Sequence, residues 1–260
     1  MAYGLSMIYS VFLWRKGLRR DDRINYGILL AGLGLHTYSM YLRGVSLQHC
    51  PVNNIYEAIS FVTWTIVAVY AVVGLMPRLR FLGVFASPLV FGMGVFALMP
   101  GLDPVYKDQP VFRGDLSSIH GALSLLSYGA FGLACVAGLM YLTQEHDLKF
   151  NKFRAVFSLM PAIDRLEKIM NRLLIAGFVL FTCGFIISLV LLNQEFHTWF
   201  ALDIKLIWSL VVWAIYLILL LMRGPFAQTG RRFAWGAVGS FVFISLTFWG
   251  INPLSAAHHF

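Results

Sequence analysis

Seven predominantly apolar runs divide this chain, and each is close to the roughly 20 residues that an α-helix needs to cross the hydrocarbon core of a bilayer. An eighth apolar run, residues 2–14, is shorter, so we predict there either a tilted first span or a span whose beginning is missing from this sequence. The pattern predicts an all-α fold: a polytopic membrane helix bundle with about eight transmembrane helices. The seven long runs are 26–42, 55–75, 79–99, 119–143, 173–192, 204–222 and 233–251.

The composition is typical of a membrane protein and not of a water-soluble domain. Hydrophobic residues make up 59% of the chain, charged residues 12%, and the mean hydropathy is +0.74. The formal net charge is +8, but the basic residues lie in short clusters between the apolar runs, so we expect no nucleic-acid binding. The three cysteines are far apart and form no CxxC or CxxCH pattern, which argues against a disulfide framework and against covalent haem attachment.

The Lys and Arg residues of the short loops predict the orientation of the bundle, because cytoplasmic loops retain positive charge during insertion. One side carries nearly all of these residues and is predicted to face the cytoplasm. The loops of the opposite side carry only Arg43, Lys107 and Arg113, so this side and both termini are predicted to lie outside. We therefore expect a single transmembrane domain over residues 1–260 in the cell inner (cytoplasmic) membrane. The predicted cytoplasmic basic residues are Arg15, Lys16, Arg19, Arg20, Arg23, Arg78, Arg80, Lys149, Lys152, Arg154, Arg165, Lys168, Arg172, Arg223, Arg231 and Arg232.

The longest predicted cytoplasmic segment, residues 144–172, has an amphipathic pattern. Apolar residues recur at helical spacing between charges, so we expect the segment to lie along the membrane surface. There it would offer a contact surface to a cytoplasmic partner. The apolar residues of this pattern are Leu159, Ile163, Leu166, Ile169 and Met170.

Histidines are concentrated on the predicted outer side. Several facing imidazoles between helices, backed by aromatic rings, would suit axial ligation of haem iron. For each of these histidines, the alternative is an interfacial residue that tolerates water. For His49 and His197 this alternative is the favoured interpretation. His36 lies inside the second span, where a core histidine hydrogen-bonded to a neighbouring helix competes with a metal ligand. The five predicted outer histidines are His49, His120, His197, His258 and His259.

Other polar residues border the predicted spans and need partners. Asp203 and Lys205 stand close together at the outer mouth of the seventh span, where they could bridge to haem propionates or to each other. Trp199, in the preceding loop, is either an interfacial aromatic or part of the same site. Glu57 lies early in the third span and is expected to pair with a cation such as Arg43.

Two segments resemble the cytochrome c assembly family, the membrane haem-handling proteins that include CcsA, ResC, CcmC and the HemX-like group, and the first of these matches is specific. Residues 49–58, HCPVNNIYEA, followed by Phe61 and Trp64, resemble the CcsA pattern H-x-P-x-x-N-x-Y-E-S with its later Phe and Trp. His120 followed by Ser127-Tyr128 is similar to the family's H-V-x5-S-Y, whose histidine is an axial ligand to external haem.

Two later segments extend the resemblance over essentially the whole chain. Asn171-Arg172, leading to Gly177-Phe178, Thr182 and Gly184, resembles the helix before the family's tryptophan-rich haem loop. Gly250-Ile251-Asn252, running to His258-His259-Phe260, is similar to the terminal stretch that carries the second external ligand.

The loop between the sixth and seventh spans departs from the family pattern N-E-x-W-G-x-Y-W-x-W-D-P-K. Asp203, Lys205, Trp208, Trp213 and Tyr216 match, but Phe196, Phe200 and Leu202 stand where tryptophans are expected, and Ile218 stands where CcsA-like proteins place a membrane histidine. Phenylalanine still offers a ring face to a porphyrin. These departures make the HemX-like branch the nearest resemblance.

The resemblance implies a haem-binding membrane protein of cytochrome c biogenesis that presents non-covalent haem b at the outer face. His120 and either His258 or His259 would be the axial ligands, Trp199, Phe196 and Phe200 would cover the ring, and Asp203 with Lys205 would hold its rim. A CcsB-like subunit and apocytochrome c are the implied partners, and any enzymatic role would be at most that of a haem-lyase component acting with a partner.

A HemX-like regulator or scaffold of haem biosynthesis, which does not deliver haem, is the alternative function. Segment 144–172 would be its contact surface. A small-molecule transporter is disfavoured, because two repeat halves with paired Gly/Pro-interrupted helices are not evident.

Overall fold

The computed structural model describes residues 1–16, 22–47, 55–99, 115–150, 162–196, 204–223 and 229–251. These ranges form eight α-helices and contain no β-strand, so the predicted all-α architecture is confirmed, with one helix for each apolar run in the same order. A short 3-10 helix, Pro77–Leu79, joins the third and fourth helices. The helices are α1 (Ala2–Lys16), α2 (Asp22–Leu47), α3 (Ile55–Val73), α4 (Leu82–Ala97), α5 (Asp115–Lys149), α6 (Ile163–Phe196), α7 (Ile204–Arg223) and α8 (Arg231–Ile251).

Four of the described helices, α3, α5, α6 and α7, are long and apolar enough to cross a membrane. Two further apolar helical stretches, Ala2–Leu13 in α1 and Leu82–Ala97 in α4, are shorter. The chain is therefore a multi-pass membrane protein. The outward position of both termini remains a prediction.

Helices α5 and α6 extend beyond their predicted spans. They contain 35 and 34 residues, which corresponds to about 50 Å of helix against a hydrocarbon core of about 30 Å. The described parts of segment 144–172 continue these two helices, and Leu166 and Met170 are buried in the bundle core. The predicted surface helix is therefore wrong for these parts, because their apolar stripe packs against the bundle. Residues 151–161 lie outside the described ranges.

Helix α5 occupies the centre of the bundle, where it contacts α3, α4, α6 and α8. Small residues bring the neighbouring backbones close to it, as is common between membrane helices. At Gly129 a Cβ atom would lie 2.7 Å from the carbonyl oxygen of Thr65 on α3. This approach fixes α3 against the half of α5 that carries His120.

A buried polar cluster joins α1 to α2 and α4. The Ser6 hydroxyl donates to Oδ1 of Asn25 at 2.7 Å and lies 2.6 Å from the Ser87 hydroxyl, and all three side chains are buried. Hydrogen bonds between such side chains stabilise helix association in lipid. The first helix is thereby attached to the bundle although it is short.

At the other end of the chain, Glu167 connects three helices. Its carboxylate pairs with Arg223 at the end of α7, and it accepts a hydrogen bond of 3.2 Å from the backbone N–H of Gly230 just before α8. Gly230 has a φ of 72°, which favours glycine. These contacts set the positions of α7 and α8 relative to α6.

Candidate functional site

His120 lies in the second turn of α5 and is held by a contact with α6. Its Nδ1 atom is 2.8 Å from the carbonyl oxygen of Gly184. A carbonyl can only accept, so Nδ1 carries the hydrogen, and in the neutral ring Nε2 then keeps a free lone pair. Metal-binding histidines commonly donate their second ring N–H to a backbone carbonyl in this way, which fixes the tautomer and the ring orientation. In this geometry Nε2 is the ring nitrogen that keeps a lone pair.

Gly184 makes this contact possible because it lets α6 approach α5. A Cβ atom at this position would lie 2.8 Å from the Ser124 hydroxyl and 3.6 Å from the carbonyl oxygen of His120. A larger side chain would therefore push the two helices apart. The glycine was identified by resemblance, but its contact with His120 was not predicted from the sequence.

Aromatic rings from α5, α6 and α7 pack together further along the bundle, where Phe131 lies 11 residues, or about 16 Å, past His120 on α5. Phe131 and Tyr216 stack with ring centroids 3.6 Å apart, and Tyr128 meets Phe181 edge-on at 6.2 Å. The indole N–H of Trp213 donates to the Thr182 hydroxyl at 3.1 Å, two residues before Gly184. The structure thus brings together residues from two separate resembling segments.

Two buried polar atoms on α7 have no hydrogen-bond partner among the described residues. They are Nε1 of Trp208 and the hydroxyl of Tyr216. Trp208 lies near the start of α7, where the chain enters from residues 197–203. A buried donor without a partner is costly, about 1–3 kcal/mol, so Trp208 is suited to meet a polar group of a ligand or of that loop.

Two other predicted site residues, Phe196 and Lys205, lie at helix ends. Phe196 ends α6, three turns or about 18 Å past Gly184, and Lys205 is the second residue of α7. These two positions flank the predicted ring-covering loop. Five of the predicted residues lie outside the described ranges and stay predictions: Trp199, Phe200, Asp203, His258 and His259.

The donor set at His120 fits a haem iron better than a bare metal ion. Within the described residues no group of three or more His, Cys, Asp or Glu side chains could hold a metal ion. Haem needs only one or two protein ligands, because the porphyrin itself holds the iron. A single oriented imidazole such as His120 matches that requirement.

His36 belongs to a different group of contacts. Its Nδ1 atom is 3.1 Å from the hydroxyl of Tyr3 on α1, and the two rings meet edge-on with centroids 5.7 Å apart. The alternative interpretation of His36, a histidine hydrogen-bonded to a neighbouring helix, describes this geometry. The described contacts of His120 are with α6 and those of His36 are with α1.

The predicted partner of Glu57 is confirmed. Glu57 is 1% exposed and its carboxylate accepts a hydrogen bond of 2.8 Å from Nε of Arg43. The guanidinium also lies 4.8 Å from the centre of the Tyr56 ring. Tyr56 and Glu57 are the described Y-E pair of the HCPVNNIYEA segment, and both contact one arginine of α2.

Comparison with known proteins gives consistent matches along most of the chain. The family model described as cytochrome C assembly protein matches residues 52–259. The cytochrome c biogenesis protein CcsA of Gloeobacter violaceus is 25% identical over 284 aligned positions, which cover 89% of this chain and 82% of the relative. Protein HemX of Bacillus subtilis is 25% identical over 263 positions, covering 99% of this chain and 94% of the relative. Protein HemX of Brevibacillus brevis is 24% identical, covering 85% and 81%.

Proposed function

Because the chain belongs to the cytochrome c assembly protein family, we propose that it binds haem at the outer face of the cell inner (cytoplasmic) membrane during cytochrome c biogenesis. The single observation that most supports a haem site is the 2.8 Å contact between His120 Nδ1 and the Gly184 carbonyl. This contact leaves the lone pair of Nε2 available as a ligand. The whole of residues 1–260 forms one transmembrane domain with both termini outside, as the positive charge of the alternate loops supports.

In this proposal His120 and the imidazole of His258 or His259 would hold haem b without a covalent bond. Trp199, Phe196 and Phe200 would contact the porphyrin, and Asp203 with Lys205 would bind its propionates. Bound haem would supply the group that is passed to apocytochrome c. The residues of this chain would bind and orient the haem, and they would form no bond to its carbon atoms. A CcsB-like subunit would bring the apocytochrome.

Spectroscopy of the purified protein tests this function. We expect the detergent-solubilised wild type, supplemented with haemin, to show a Soret band and reduced α-band of bis-imidazole haem, and His258→Ala combined with His259→Ala to lose them. A strain that lacks the gene should lose its c-type cytochromes. A wild type that stays colourless after supplementation contradicts the haem site, whereas haem binding with intact c-type cytochromes in the deletion strain contradicts the assembly role.

Gly184→Val is predicted to weaken haem binding by about 10- to 100-fold, the usual cost of losing an orienting partner of a metal ligand. The side chain would separate α6 from Ser124 and lengthen the hydrogen bond to His120. Haem titration followed at the Soret band measures the effect. Gly121→Val is the matched control, because Gly121 adjoins His120 on α5 and a Cβ there meets nothing within 4 Å. Equal affinities of the two variants would contradict the orienting role of the carbonyl.

A second candidate function is that of a HemX-like membrane regulator or scaffold of haem biosynthesis. The alignment to Protein HemX of Bacillus subtilis, over 99% of this chain, favours it. The cytoplasmic extensions of α5 and α6 would then provide the contact surface. Altered haem-precursor levels in a deletion strain with intact c-type cytochromes would support this function over haem delivery.

A further inference from the structure

A cavity of about 400 Å³ lies among α1, α2, α3 and α4. Its size is within the usual range for small-molecule sites. The lining residues include Leu35 and Leu98, which are exposed, so the cavity opens at an apolar surface of the bundle. An apolar molecule could enter the cavity from the bilayer without crossing water.

His36 supplies a hydrogen-bond donor to this cavity. The hydroxyl hydrogen of Tyr3 needs an acceptor, and among the described residues the one within reach is Nδ1 of His36, at 3.1 Å. When Tyr3 donates to Nδ1, the neutral ring carries its own hydrogen on Nε2. The ring lines the cavity, so this N–H is the group available to a ligand.

Thr63 adds a second, independent indication of a ligand. Thr63 is one of the residues that line the same cavity, it is 1% exposed, and its buried hydroxyl has no hydrogen-bond partner among the described residues. A buried hydroxyl in lipid normally finds a partner, because leaving it unpaired is unfavourable. A bound molecule with an oxygen acceptor would satisfy it.

We propose that this cavity binds a neutral membrane amphiphile whose carbonyl oxygen accepts hydrogen bonds from the donors of His36 and Thr63. Apart from Met1, whose α-amino group begins this sequence, the described lining contains no lysine or arginine, so a phosphate or carboxylate head would lack a cationic side chain there. The apolar rim receives the hydrocarbon part. The site is separate from His120, and the inference does not rest on the proposed haem function.

Native mass spectrometry of the detergent-solubilised protein tests the proposal with two neutral probes, decylubiquinone and dioleoylglycerol, and with oleate as a charged probe. We expect at least one neutral probe to bind wild type better than oleate does. The binding probe identifies the source, a quinone or an acyl ester. His36→Phe and Thr63→Val should each weaken that binding by about tenfold, the effect of one lost hydrogen bond. Thr247→Val is the control, because this threonine is on α8.

A cavity-filling pair makes the test independent of hydrogen bonds. Gly94 lines the cavity and Gly92 does not, and a Cβ at either position meets nothing within 4 Å. Gly94→Leu should abolish probe binding with an unchanged gel-filtration profile, whereas Gly92→Leu should bind like wild type. The proposal is overturned if neither neutral probe binds, or if Gly94→Leu binds normally. A haem Soret band that is lost in His36→Phe and kept in His120→Ala would also overturn it, since Nε2 would then be a metal ligand.

Discussion

His120→Ala is expected to abolish the six-coordinate haem spectrum of the purified protein and to reduce its haem content to a small fraction of the wild-type value. The physical reason is that the variant removes an imidazole whose Nδ1–H is already committed to the Gly184 carbonyl and whose Nε2 is free. The other two described histidines make their contacts elsewhere, His36 with Tyr3 and His146 with Asp147. The haem-to-protein ratio and the Soret and α-bands after haemin supplementation measure the loss.

His146→Ala is the matched control for this variant. His146 lies on the same helix, with its side chain 53% exposed and 3.4 Å from the Asp147 carboxylate, near the end of α5 that is predicted to be cytoplasmic. Its replacement should leave the spectrum unchanged. Imidazole added to His120→Ala should restore a six-coordinate spectrum, which a merely structural role of His120 would not permit. A His120→Ala protein with the wild-type spectrum would refute axial ligation by this residue.

The helices of this protein follow from local properties of the sequence. Each long apolar run became one helix, because in lipid every backbone polar group must be satisfied within the helix. The ends were less predictable. Helices α5 and α6 continue through charged residues beyond their apolar runs, since neighbouring helices stabilise them there. Leu166 and Met170 were expected to contact the membrane surface, but they lie in the core of the bundle.

The sequence predicted the residue types of the candidate site and one side-chain contact outside it. The pairing of Glu57 with Arg43 could be predicted, because a carboxylate buried in a span needs a cation and Arg43 stands nearby at the end of the preceding helix. The partner of His120 could not, since Gly184 is 64 positions away and acts through its backbone. For His36 a hydrogen bond to a neighbouring helix was one of two interpretations, but its partner Tyr3 could not be identified, because it depends on how two helices pack.

Arg43→Ala is expected to lower the free energy of unfolding by about 3–5 kcal/mol, the typical cost of removing one partner of a buried ion pair. The 1% exposed carboxylate of Glu57 would lose the guanidinium that now lies 2.8 Å away, and the Tyr56 ring would lose its stacked cation. Thermal unfolding of the detergent-solubilised protein would report a large fall in Tm. Replacing both Arg43 and Glu57 with leucine should recover much of that loss, because no buried charge then remains.

Arg231→Ala provides the comparison that separates burial from charge. Its side chain is 60% exposed and lies 3.8 Å from the Glu145 carboxylate, so this pair should contribute only about 0–1 kcal/mol. If Arg43→Ala lowers Tm no more than Arg231→Ala does, the structural role of the Arg43–Glu57 pair is wrong. If the loss is large while the haem spectrum of the folded protein is unchanged, the Y-E pair serves to hold α3 against α2, because both of its side chains contact the same arginine of α2.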